Sequence, residues 1–116
     1  MSEPTHYLSN KKFLIELEIS KQQDELTPAA LNMIILIATR LSTKFSYRVD
    51  SDREDCKWHG VEDAFMYWRN FDASRNSNAF AYFTQVCKNG FAKEWRTLYK
   101  DMPRSAFCSI NNLYNI

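Results

Sequence analysis

Only two glycines, Gly60 and Gly90, occur in 116 residues. A sandwich or barrel of many short strands needs turn-formers at its connections, so this scarcity points to helices joined by short links. Two glycines also cannot build a glycine-rich phosphate loop. No apolar run could span a bilayer: the longest, residues 33–38, falls well short of the ~20 residues required. Residues 1–6 are polar and acidic, so no secretory leader and no membrane partner are expected. The three cysteines (Cys56, Cys87, Cys108) are odd in number and isolated in spacing, which argues for a reducing cytosol and against a disulfide framework. Cys56 and His59 stand three apart, but a zinc site needs about four ligands, and His6 is the only other histidine. No metal, no cofactor and no catalytic residue are therefore expected. Glu62 and Asp63 are neighbours on a helix and diverge, which reads as a solvated or partner-facing edge rather than a catalytic pair.

What is present is one domain's worth of chain with an uneven charge. Residues 1–72 hold nine Lys/Arg against twelve Asp/Glu, a net −3, whereas residues 73–116 hold six against two, a net +4. Such a split fits two surfaces with different partners, and it also arises by chance in a short chain. The spacing predicts an all-α fold of about four helices over residues 1–102, followed by a tail at 103–116. A first helix follows Ser9 and Asn10, with Phe13, Leu14, Leu17 and the stem of Lys21 on one face. Thr27-Pro28 starts a second, with Leu31, Ile34, Ile35, Ala38 and Leu41 as its stripe. Residues 47–52 read as a loop. Ser51 and Glu54 fit a capping box opening a third helix that runs to about Asn70, with Trp58, Val61, Phe65 and Trp68 as its apolar positions. A polar turn over 72–78 leads to a fourth helix from Ala79 to near Lys100, stopped by Pro103.

The fourth helix has two faces. At about 100° per residue, Phe80, Phe83, Cys87, Phe91 and Leu98 gather as a core stripe. Opposite them, within about 80° of Tyr82, lie Gln85, Asn89, Ala92, Lys93 and Arg96. Cations there can neutralise phosphates, amides can read base edges and rings can carry unstacked bases. By itself the pattern fits an ordinary solvated face with one tolerated tyrosine better.

The order of residues from Asp55 onward adds a further reading. The segment D-C-K-W-H-G-V-E-D-A-F-M-Y-W-R-N-F-D (55–72) resembles the polymerase-binding helix of bacterial sigma factors, with Asp55, Gly60 and Phe71-Asp72 on pattern. The following A-F-A-Y-F-T-Q-V-C-K-N-G-F (79–91) resembles their promoter-melting helix through Tyr82 and Thr84. Housekeeping sigmas carry two adjacent tryptophans where Gln85 and Val86 stand in this chain. The match is closer to the late-transcription sigma factors of T-even-like phages: Asn70-Phe71-Asp72, Asn78, Ala81-Tyr82, Thr84-Gln85, Asn89 and Phe91 follow their order, and I-A-T-R-L-S-T-K-F-S-Y (37–47) is similar to their second helix.

That resemblance implies a sigma domain 2-like fold and a factor that binds host core RNA polymerase and directs late promoter recognition and opening at an A/T-rich −10-like element, in the cytoplasm of an infected bacterium. Asp55, Lys57, Trp58, His59, Gly60 and Glu62 would meet the clamp helices of the polymerase's largest subunit, with Gly60 allowing close approach of another helix. Tyr82, Phe83, Gln85, Lys88, Asn89, Lys93 and Arg96 would face promoter DNA. In the tail, Ile110, Leu113, Tyr114 and Ile116 would dock on a phage sliding clamp, or pack back on the core. The basic run at 93–100 is thin, and no helix-turn-helix follows, so dependence on a late co-activator is expected. The competing reading is a sigma-like regulator that binds polymerase without recognising promoters.

Overall fold

A computed structural model describes residues 9–47 and 49–100. Four helices make up the described chain, with no strand among the described residues: α1 (Asn10–Gln23), α2 (Pro28–Ser42), α3 (Asp50–Tyr67) and α4 (Ala79–Leu98), with a 3-10 turn over Trp68–Asn70. None of them is long and apolar enough to cross a membrane. The all-α expectation holds. The tail residues Ile110, Leu113, Tyr114 and Ile116 lie outside the described residues.

Local chemistry sets the helix boundaries. The Ser9 side chain accepts from the Lys12 amide and caps α1, while Asn10 instead ties two helix starts together. Its Nδ2 donates to the Ser77 carbonyl at 2.9 Å, and its Oδ1 accepts from the Phe80 amide at 3.3 Å. The α1–α2 corner is closed by buried polar groups, each satisfied as burial demands. Thr27 Oγ1 accepts from the Ala30 amide at 3.1 Å and donates to Glu16 at 2.7 Å, and Ser20 Oγ accepts from the Thr27 amide at 3.0 Å. Pro28 occupies the first turn of α2, where no amide is needed. Between α3 and α4, Asp72 Oδ1 takes the Ser74 amide at 3.0 Å and hydroxyl at 2.7 Å. Those bonds hold its carboxyl below the usual range. Asn78 then caps α4 by accepting from the Ala81 amide.

The Ser51/Glu54 capping box does not form. α3 begins at Asp50, so the cap position falls on Val49, which has no side-chain acceptor, and Ser51 lies inside the helix; Glu54 instead meets Trp58 and Lys57. The stripe expected on α3 is also wrong. Val61 and Trp68 are buried, but Trp58 is 47% exposed and Phe65 54%. The inward side of α3 is instead made of small groups, with Cys56, Gly60 and Ala64 all buried. On α2 the inward set is Ala30, Ile34, Ile37, Ala38 and Leu41, and Leu31 and Ile35 are only partly buried.

Small residues on α3 permit an unusually close helix crossing. A Cβ added at Gly90 would lie 2.8 Å from the Gly60 Cα and 3.0 Å from the His59 carbonyl. One added at Gly60 would lie 3.0 Å from the Cys87 carbonyl and 3.2 Å from a Phe91 ring atom. The pair is therefore two backbones in mutual contact, and the glycine predicted to admit a helix admits α4 of its own chain. Tyr99, at the end of α4, donates to Asp52 at 2.6 Å and fixes the other end of the same pair. Around the crossing, Phe13, Phe71 and Phe83 stack within 5.3 to 5.8 Å, and Phe91, Trp68, Ile34 and Leu41 complete the core.

Alanine gains about 1 kcal/mol over glycine in helix propensity, while overpacking into backbone costs about 1–3 kcal/mol. At 2.8 Å the second effect wins. Gly90→Ala is expected to lower unfolding free energy by about 1–3 kcal/mol, and Gly60→Ala by less, since its closest backbone approach is 3.0 Å rather than 2.8 Å. Urea denaturation checks this; a Gly90→Ala chain as stable as the parent would contradict the crossing.

Candidate protein and nucleic-acid interfaces

Because α3 packs through its small residues, its bulky ones face outward. Trp58, Glu62, Phe65 and Met66 follow one another at helical spacing on the outer side, with Glu54 and Asp55 a turn earlier. Met66 is 58% exposed. The Trp58 indole is held in place locally: its Nε1 donates to Glu54 at 3.3 Å, the Lys57 ammonium lies 4.9 Å from its ring centre, and Lys57 reaches Glu54 at 3.1 Å. The hydrogen bond from Lys57 keeps the Glu54 carboxyl below its ordinary range. An exposed run of large apolar groups framed by acids has the composition of a protein-binding surface.

Of the six residues predicted for a protein partner, Asp55, Trp58 and Glu62 lie on this outer face, and Lys57 flanks it. Gly60 does not: it is buried against α4. His59 sits at the edge, with Nε2 3.9 Å from Glu94 on α4 and Nδ1 buried without a hydrogen-bond partner. Phe65 and Met66 were not predicted for the face. The i, i+4, i+8 row of small residues at 56, 60 and 64 is the signal that would have placed them outside.

On α4 the open arc is narrower than the wheel suggested. Gln85 and Asn89 are exposed and linked, Gln85 Nε2 donating to Asn89 Oδ1 at 3.0 Å. Arg96 is exposed beside them. Tyr82 is half-buried, its ring centre 5.1 Å from both Phe71 and Phe83. Three residues depart from expectation. Phe83 and Ala92 are fully buried and Lys88 is 5% exposed, because α4 is covered by α1 and α2 as well as α3. None of the three presents itself with Gln85 and Asn89.

Lys93 is shared between faces. Its ammonium lies 2.8 Å from the carboxylate of Asp63, which is 7% exposed. Asp63 is thus no solvated edge but the buried half of an α3–α4 ion pair beside the glycine crossing. The hydrogen bond to Asp63 holds the Lys93 pKa above the ordinary lysine value. Cys56 and Cys87 are buried thiols, and burial pushes both up to about 12, which makes them packing groups rather than nucleophiles. No group of three or more potential metal ligands occurs among the described residues.

No family model, no curated protein and no solved structure matches the chain.

A raised lysine pKa stabilises the fold below the unfolded value and ceases to as pH climbs through the folded one. The difference in urea midpoint between the parent and Lys93→Met should therefore stay constant from neutral pH upward and shrink only above about pH 10.4. A difference already lost by pH 9 would show that the pair does not form.

Proposed function

We propose that this chain is a sigma-type initiation factor of the phage late class. It binds bacterial core RNA polymerase through the outer face of α3 and directs opening of late promoters at an A/T-rich −10-like element through α4. The observation that carries the reading is the outward Trp58, Phe65 and Met66 among Glu54, Asp55 and Glu62. A freely soluble helix gains nothing by exposing three large apolar groups in a row, and the acids among them suit the basic rim of a partner. Asp55, Trp58, Glu62, Phe65 and Met66 of this surface fall within residues 55–72, the segment that resembles the polymerase-binding helix. On α4, Gln85, Asn89 and Arg96, with the outer edge of Tyr82, supply amides, a cation and a ring on a different side of the helix pair.

Such a factor acts by binding. It needs no catalytic residue, since the polymerase supplies the chemistry, and its place is the cytoplasm of the infected host. A phage sliding clamp is the proposed partner of the tail, and a late co-activator supplies what the thin cationic face lacks.

The second reading is a sigma-like regulator that binds polymerase but does not recognise promoters. Burial of Phe83 and Lys88 and engagement of Lys93 by Asp63 favour it, because they remove a ring and a cation from the DNA side and tie up a second cation. Phosphate contacts dominate affinity for DNA, so a thin cationic face either relies on a helper or reads no DNA at all.

Run-off transcription on duplex and premelted A/T-rich templates, together with a core-polymerase binding assay, separates the readings. Asp55→Lys with Trp58→Ala should weaken polymerase binding about tenfold or more, a loss of at least ~1.4 kcal/mol. Gln85→Ala with Asn89→Ala should leave that binding intact and reduce initiation on the duplex template. Initiation no better than core polymerase alone on both templates would leave only the regulator reading, and absence of polymerase binding would end both.

A further inference from the structure

Three side chains near the start of the outer α3 face close on one another. The Trp58 Nε1–H donates to Glu54 at 3.3 Å. The Lys57 ammonium reaches the same carboxylate at 3.1 Å and lies 4.9 Å from the centre of the Trp58 ring. Helical spacing makes the arrangement possible. Residues three and four apart are neighbours on a helix surface, and helical side chains lean toward the N-terminus, so the indole at 58 lies over the turn that carries Glu54. Each of the three groups therefore touches the other two. The Lys57 side chain is only 14% exposed, against 55% for Glu54, so the lysine stem is laid along the molecule and its charge is met inside the cluster.

Exposed ion pairs and surface hydrogen bonds add little to the stability of a fold. Converging on one ring, they decide instead where that ring points. An untethered indole on a helix surface samples several rotamers, and ordering it on binding lowers affinity. In Trp58 the ring's one polar atom is already bonded and the ammonium sits over the ring, so the surface offered to a partner is apolar and set in advance. Asp55 and Glu62, three residues before and four after, stand exposed beside the ring and take no part in the cluster. Tryptophan is among the residue types that most often carry the binding energy of an interface. A device that orders this one acts where affinity is decided.

We propose that Glu54 and Lys57 are positioning residues that hold the Trp58 indole in its docking rotamer before the partner arrives. Lys57, expected to meet the polymerase itself, acts through Trp58, and Glu54, expected at a helix cap, gains a part in binding. The inference rests on the reading of the outer α3 face as the polymerase-binding surface.

The test pairs NMR on the free full-length chain with binding to bacterial core RNA polymerase. In the free chain, side-chain couplings and the indole N–H signal of Trp58 should report one rotamer in the parent and averaging in Glu54→Ala and in Lys57→Met. The urea midpoint should change little, since both contacts lie on the surface. In the complex, each variant should weaken polymerase binding by about two- to tenfold, the effect of having to order one side chain. Added to Trp58→Ala, neither substitution should weaken binding further, because the group that they position is gone. A parent indole already averaged among rotamers would overturn the proposal whatever the partner. Losses that persist at full size in the Trp58→Ala background would overturn it as well, by showing that Glu54 and Lys57 touch the polymerase themselves; the α3 surface would then still stand. Polymerase binding unmoved by Trp58→Ala and by Asp55→Lys would instead remove the surface reading, and the proposal with it.

Discussion

The contact of two backbones where Gly60 meets Gly90 governs the rest of the molecule. Helices normally keep about 8–10 Å between axes because side chains intervene. At this crossing the side chains are absent, and beside it they are small, at Cys56, Ala64 and Cys87. That closeness has two consequences. The inward surface of α3 is filled by small groups, so Trp58, Phe65 and Met66 have no interior to enter and form the outer face. The carboxylate of Asp63 is also carried into the interface, where it holds Lys93 and removes part of the positive charge that α4 would otherwise present. One packing constraint thus shapes both candidate interfaces, enlarging the one on α3 and thinning the one on α4.

The positions of the helices were largely legible in the sequence, because their boundaries are set by local chemistry that residue order reveals. Thr27-Pro28 starts α2, the polar run at 72–78 separates α3 from α4, and Asn78 caps where a cap was needed. Burial was less legible. The three/four spacing of Trp58, Val61, Phe65 and Trp68 suggested a core stripe on the premise that large apolar residues mark the inside. In α3 the inside is marked by small ones. On α4 the wheel allowed one core stripe, but three neighbouring helices cover more than half of its circumference, and Lys88 and Ala92 disappear beneath them as well. Neither error is visible without the partners of each helix, since which side faces in depends on how closely the neighbour approaches. The Ser51/Glu54 box failed for a more local reason: the helix starts at Asp50, which places Ser51 inside it and Val49 at the cap.

The candidate site was therefore half readable. Asp55, Glu62, Gln85, Asn89 and Arg96 are exposed, and so is Trp58, which the spacing had placed in the apolar stripe and the resemblance at a partner. Gly60 and Phe83 belong to the core, and Lys88 to the wall of a separate groove that no motif announced. That groove is assembled from Arg40 and Leu41 on one helix and Phe80 and Lys88 on another, some 40 residues apart in the chain, which is why periodicity along either helix alone does not disclose it. The domain we propose is an adaptor with an apolar-acidic side and an amide-and-cation side.

The central claim is that the α3 and α4 faces meet different partners. Photocrosslinking tests it most directly, with a probe residue placed at Phe65 in one chain and at Gln85 in another, each assembled with core polymerase and promoter DNA. The probe at 65 is expected to join the chain to the polymerase's largest subunit, and the probe at 85 to join it to a DNA strand. Both probes joining the same partner, or the probe at 65 joining none, would contradict it.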